Sequence, residues 1–128
     1  MGTVVACETA ALDDWQFSEE DELIAPGGRQ VAEWLYQALG NVSQPVSPPA
    51  NHGNYGWSFE VLLGGQRYWL LIASGPTEAT MYVWVEQWWL WRILGRADRR
   101  RELLDAIAGL LTDDARFENV RLETPPRK

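Results

Sequence analysis

The chain is short of the residues that most often build staples, metal sites and nucleophiles. Among its 128 residues there is one cysteine, one histidine and one lysine. Cys7 alone can form neither an internal disulfide nor a cysteine-based zinc site, and it reads as a small apolar filler or a plain thiol rather than a nucleophile. No HxxxH, CxxC or acidic-loop spacing exists, so no metal is expected. Neither GxxxxGK[ST] nor GxGxxG occurs, so Gly27-Gly28 is no phosphate cradle and no cofactor is expected. No charged stretch followed by an apolar one opens the sequence, which reads as the absence of a secretory signal and a cytoplasmic location. The longest apolar-looking run, 81–94, is too short for a bilayer and carries Glu86, Gln87 and Arg92, so no membrane span is expected. Residues 1–28 hold no basic side chain at all. The formal net charge of −7 disfavours a general grip on nucleic acid or anionic lipid, and suits a basic partner.

What remains is a chain of ordinary globular composition, 46% hydrophobic and 23% charged, long enough for one core. Eight tryptophans stand out. Arginine outnumbers lysine ten to one, a bias that fits a GC-rich genome.

Ser18 followed by Asp21 reads as an N-cap with a capping-box acid, opening a short helical turn that Pro26-Gly27-Gly28 ends. Arg29 to Leu39 is the clearest helix, with Val31, Trp34, Leu35, Ala38 and Leu39 on one stripe. Residues 41–54 contain Pro45, Pro48 and Pro49 and read as a long loop. Residues 55–73 read as a β-hairpin turning at Gly64-Gly65, which pairs Leu63 with Gln66 and, six steps on, Trp57 with Ile72. Alternation then sorts Trp57, Phe59, Val61, Tyr68, Leu70 and Ile72 onto an apolar face, and Ser58, Glu60, Leu62, Arg67, Trp69 and Leu71 onto a mixed one. A third strand over 80–86 adds Met81, Val83 and Val85 to the first face and Tyr82, Trp84 and Glu86 to the second. The stretch 87–95 is ambiguous between loop and short helix. Asp98 can cap a second helix over 99–112, and 117–122 reads as a last strand before a short tail at 124–128. The order helix, three-strand meander, helix, strand predicts one α+β domain over 1–128. Its expected form is a two-layer sandwich with a mainly antiparallel sheet and two helices on one face. Residues 1–25 form its acidic N-terminal segment.

Five features could carry function. The mixed sheet face presents Trp69, Tyr82 and Trp84, with Leu71, Glu60 and Arg67 beside them, a residue mix that suits protein docking; alternatively the first 25 residues or the Trp88–Trp91 segment fold across it. Trp88, Trp89 and Trp91 cannot all point one way on a helix, so they form a dimer contact, a ligand wall, a membrane anchor or core packing at a chain corner. The arginines at 92–101, with Trp88 and Trp91, could grip a single strand by charge and stacking, but nucleic acid is disfavoured by the acidic total. A solvated helix start near the N-terminal acids is the plainer reading of that run. The acids from Asp13 to Glu22 either dock a basic partner or form a charged terminus. His52, in a polar glycine-containing loop, could serve as a general base, although no partner nucleophile or orienting carboxylate is evident from spacing.

In size, charge and α+β plan the chain is similar to bacterial immunity proteins and to acidic secretion chaperones, a likeness of build without a shared motif. The leading expectation is a non-enzymatic protein-binding module of inhibitor, immunity or adaptor type, acting on another protein or a second copy of itself. A small-molecule-binding or hydrolytic domain centred on 41–55 is the alternative.

Overall fold

The computed structural model describes residues 3–53, 55–74, 79–87 and 98–124. Strands dominate, with two α-helices among the described residues, so the fold class is α+β. In chain order the elements are β1 (Val4–Glu8), β2 (Gln16–Phe17), β3 (Leu23–Ala25), α1 (Arg29–Ala38), a 3-10 turn (Leu39–Asn41), β4 (Gln44–His52), β5 (Gly56–Leu63), β6 (Gln66–Ser74), β7 (Thr80–Gln87), α2 (Arg100–Thr112) and β8 (Glu118–Glu123). Six strands form one antiparallel sheet in the order β4-β5-β6-β7-β1-β8, and β2 pairs with β3 separately.

The β5–β6 hairpin has the register that its alternation predicts, from Leu63 opposite Gln66 to Trp57 opposite Ile72. Gly64 and Gly65 supply the positive φ angles of 61° and 78° that a tight hairpin turn needs. Inward-pointing Phe59, Val61, Tyr68, Leu70, Ile72, Val83 and Val85 are buried in one cluster with Val31 and Leu35 of α1 and Leu103, Leu104, Ile107 and Leu111 of α2. That is the apolar face and both helical stripes meeting in a single core.

Three expectations need correction. The expected long loop over 41–54 is mostly strand: β4 runs along β5 as the outermost strand. Its prolines are tolerated there because an edge strand need not donate from every N–H, and its register shifts between Pro45 and Ser47 and again between Ser47 and Ala50, where bulges absorb the rings. The acidic N-terminal segment hides an inner strand. Val4, Val5, Ala6 and Cys7 are buried, and β1 is paired on both edges by β7 and β8. Ser18 opens no helical turn. Its hydroxyl accepts the N–H groups of Glu20 at 3.2 Å and Glu22 at 3.1 Å and so closes the β2–β3 turn, with Asp21 at φ 61°.

The cap of α1 comes from an unexpected place. Gly28 occupies the N-cap at φ 112°, a conformation that favours glycine. With no side chain of its own to offer, the cap position is served by Asp14, whose carboxylate accepts the N–H groups of Gly28 at 2.7 Å and Gln30 at 3.0 Å. The same carboxylate complements the positive end of the helix. At α2, Asp98 accepts the Arg100 N–H at 2.9 Å. The ambiguous stretch 87–95 and the tail lie largely outside the described residues. No described helix is long and apolar enough to cross a membrane.

Candidate functional site

Strand parity assembles the outward side of the sheet. Trp69, Leu71 and Ala73 on β6 stand opposite Glu86, Trp84 and Tyr82 on β7. Across β5, Trp69 faces Glu60 and Leu71 faces Ser58. Trp69, Leu71 and Trp84 are all half-buried: neither sealed into the core nor bare. Glu60 and Arg67 pair diagonally across the hairpin in a two-pronged ion pair, with Arg67 Nη2 donating to Glu60 Oε1 at 3.0 Å. The carboxylate hydrogen bond holds the Arg67 guanidinium still more firmly protonated than usual. Because the two charges satisfy each other geometrically, they form a fixed polar margin beside the rings rather than two loose ends.

His52 belongs to this same surface. Residues 44–52 being strand, His52 sits opposite Gly56, on the side of β5 that also carries Ser58 and Glu60. The imidazole reaches the edge of Trp69 with ring centroids 5.1 Å apart and an interplanar angle of 62°. The structure thus merges two regions that the sequence presented separately. The His52 ring is exposed, and among the described residues no carboxylate pairs with it. No group of His, Cys, Asp and Glu side chains suited to a metal ion occurs among the described residues.

Tyr82 departs from the expected exposed rank. It is buried at 7% exposure, in a small second cluster with Val4 and Ala6, and meets Trp84 edge-on at 6.0 Å. Burial pushes its hydroxyl pKa up, and a hydrogen bond to the Glu123 carboxylate pushes the same way. The missed strand β1 explains the difference: its outward residues Val4 and Ala6 flank Tyr82, and Ala6 lies directly opposite it. Trp88, Trp89 and Trp91, with Arg92 and Arg96, lie outside the described residues.

The alternative in which the first 25 residues fold across this surface finds no support in where their buried residues lie. Leu12 and Ala25 are buried in the helix-side core, and Trp57 Nε1, on the inward side of β5, donates to the Pro26 carbonyl at 2.9 Å. Nor do the arginines at 99–101 meet the N-terminal acids. Arg99 pairs with Glu102 at 2.7 Å, Arg101 with Asp105 at 3.1 Å, and Arg100 reaches Glu86 at 3.8 Å.

The sequence reading missed one exposed apolar feature. Trp15 and Phe17 stack with centroids 6.5 Å apart and planes 15° apart, and they are 41% and 56% exposed. The signal was available as a Trp-x-Phe alternation, hidden by the acids around it.

The chain matches no protein-family model, no curated protein and no solved structure.

Proposed function

We propose that this chain is a non-enzymatic protein-binding module, of inhibitor, immunity or adaptor type, that docks another protein on the outward side of its sheet. The reading takes both helices to lie on one side of the sheet in a two-layer sandwich, which leaves the other side for a partner. The observation that carries it is the half-buried band of Trp69, Leu71 and Trp84 across β6 and β7, extended by the His52 ring and bordered by the Glu60–Arg67 pair. Large rings on rigid strands supply contact area at little entropy cost, and a pre-paired charge margin sets orientation. Tyr82 serves from beneath, holding Trp84, rather than as an anchor. The protein acts in the cytoplasm on this reading, and a second copy is the competing occupant.

The test replaces Trp69 and Trp84 with alanine. Both side chains are half-buried, so thermal melting first establishes that the fold persists. Loss of the wild-type partners from a pull-down supports the surface, and recovery of the same partners from a folded double variant rejects it. Sedimentation of both proteins separates a hetero-partner from a self-contact.

A further inference from the structure

A second surface, remote in sequence from the sheet band, combines two features that neither the core nor the charge pairing of the protein explains. The β2–β3 hairpin carries Trp15 and Phe17 as an exposed stack, and its tip is the run Glu19, Glu20, Asp21 and Glu22, all exposed. The hairpin is built to hold this display still. Trp15 Nε1 donates to the Leu12 carbonyl at 2.8 Å, and the indole edge lies against Gly27, where a Cβ would strike it. Ser18 ties the tip through its hydroxyl and through backbone bonds with Glu22 at 2.8 Å and Asp21 at 3.0 Å. An exposed tryptophan locked in one rotamer has already lost the freedom that binding would otherwise take from it.

The charges show what is missing. Every arginine among the described residues has an acidic partner elsewhere: Arg29 with Glu33, Arg67 with Glu60, Arg116 with Asp114, Arg121 with Glu123, Arg99 with Glu102, Arg100 with Glu86 and Arg101 with Asp105. The four tip acids have no basic partner among the described residues. Four exposed like charges beside a bare aromatic stack repel one another, and no base among the described residues offsets that repulsion. Among the described residues no base supplies the complementary charge, and a basic partner that also offers apolar contact would match both features.

We propose that the β2–β3 hairpin docks a lysine- or arginine-rich amphipathic segment of a protein partner, the acids drawing in the basic side chains while Trp15 and Phe17 take their aliphatic stems and an apolar neighbour. Cation–π contact with the Trp15 face fits the same chemistry. The inference stands apart from the sheet-face reading, since it uses none of the same residues.

The experiment uses the full chain, labelled for amide and indole NMR, and three synthetic peptides as probes: a basic amphipathic one, a lysine–glycine peptide of equal charge, and an acidic control. The basic amphipathic peptide is expected to shift the Trp15 indole and the 18–22 amides. Its affinity should fall about tenfold or more in Phe17→Ala, and again in the triple charge reversal Glu19→Lys, Glu20→Lys, Glu22→Lys. The affinity should also weaken with added salt, because the acids are exposed. The proposal is overturned if the lysine–glycine peptide binds equally well, if the shifts map elsewhere, or if neither variant weakens binding while both melt like the wild type. Self-association that disappears in the charge reversal would make a second copy the occupant, and would equally overturn it. Retained peptide binding by Trp69→Ala, Trp84→Ala keeps this outcome separate from the fate of the sheet-face reading.

Discussion

The protein contains two antiparallel hairpins that could hardly be less alike. The β5–β6 hairpin runs over eight and nine residues, alternates buried and half-buried side chains, and sits inside a six-stranded sheet. The β2–β3 hairpin pairs two residues with three, stands apart from that sheet, and exposes Trp15, Phe17 and Ile24. One is held by what it buries. The other is held at its ends, by Ser18 at the turn and by Leu12, Asp14 and Gly27 at the base, where the chain anchors Trp15 and caps α1. An isolated two-stranded ribbon this short does not persist in water on its own pairing. Its order is borrowed from α1 and the core, and Trp15 takes part in that anchoring while Phe17 and Ile24 stay exposed.

The sharpest way to break this contrast is to hollow out the long hairpin. Leu70 is fully buried on β6, opposite Phe59 and Val85. Leu70→Ala should cost about 2–5 kcal/mol, read as a lowered midpoint in urea unfolding with little change in slope. A loss under about 1 kcal/mol would mean that this face is not the core.

Next in size is the response to alkaline pH, which tests the central strands again through β1. Burial pushes the Cys7 thiol up to about 11 from its ordinary 9.0. The unfolded chain therefore releases this proton before the folded one does. The stabilisation is fully present below pH 9 and is lost as pH rises from 9 towards 11. The hydroxyls of Tyr68 and Tyr82, both raised chiefly by burial, act in the same direction above their ordinary value of 10.0. Stability measured across this range should fall less steeply in Cys7→Ala than in the wild type, and parallel curves would refute the assignment. The wild-type thiol should also resist alkylation at pH 8 until the protein is unfolded.

Between the two hairpins lies the Asp14 cap. Asp14→Ala strips two acceptors from the start of α1 and should cost about 1–2 kcal/mol, with Asp14→Asn recovering part of it. Equal stability in all three proteins would show that solvent serves the helix end just as well.

How much of this could be read from sequence follows the same division. The register of β5–β6 was legible because both strands alternate and Gly64-Gly65 fixes the turn, so three signals agreed. The helix stripes were legible for the same reason. β4 was not, because prolines forbid a central strand but permit an edge, and only knowing that this chain segment lies at the edge distinguishes the cases. β1 was overlooked because a strand of four apolar residues and one acid is too short to show a period, and its acidic surroundings suggested a solvated terminus. That single omission carried forward: without Val4 and Ala6 beside it, Tyr82 was expected to be exposed. The candidate surface was legible as a set of residue positions on β5, β6 and β7, while the contact between His52 and Trp69 required the β4 pairing. The Asp14 cap, which spans fourteen residues to Gly28, leaves no local pattern to detect.

The smallest expected effect is the most discriminating. Phe17 is a large ring, and in the long hairpin the loss of such a side chain would be severe. At 56% exposure it gives up little on folding, and its stacking on Trp15 is an open-air contact between side chains that water already reaches. Phe17→Ala should therefore change stability by no more than about 0.5 kcal/mol, measured as an unfolding midpoint matching the wild type. A larger loss would mean that the ring braces the hairpin, and its exposure would then need no external explanation. A silent substitution leaves the ring free to meet a partner, as the proposed docking of a basic amphipathic segment requires.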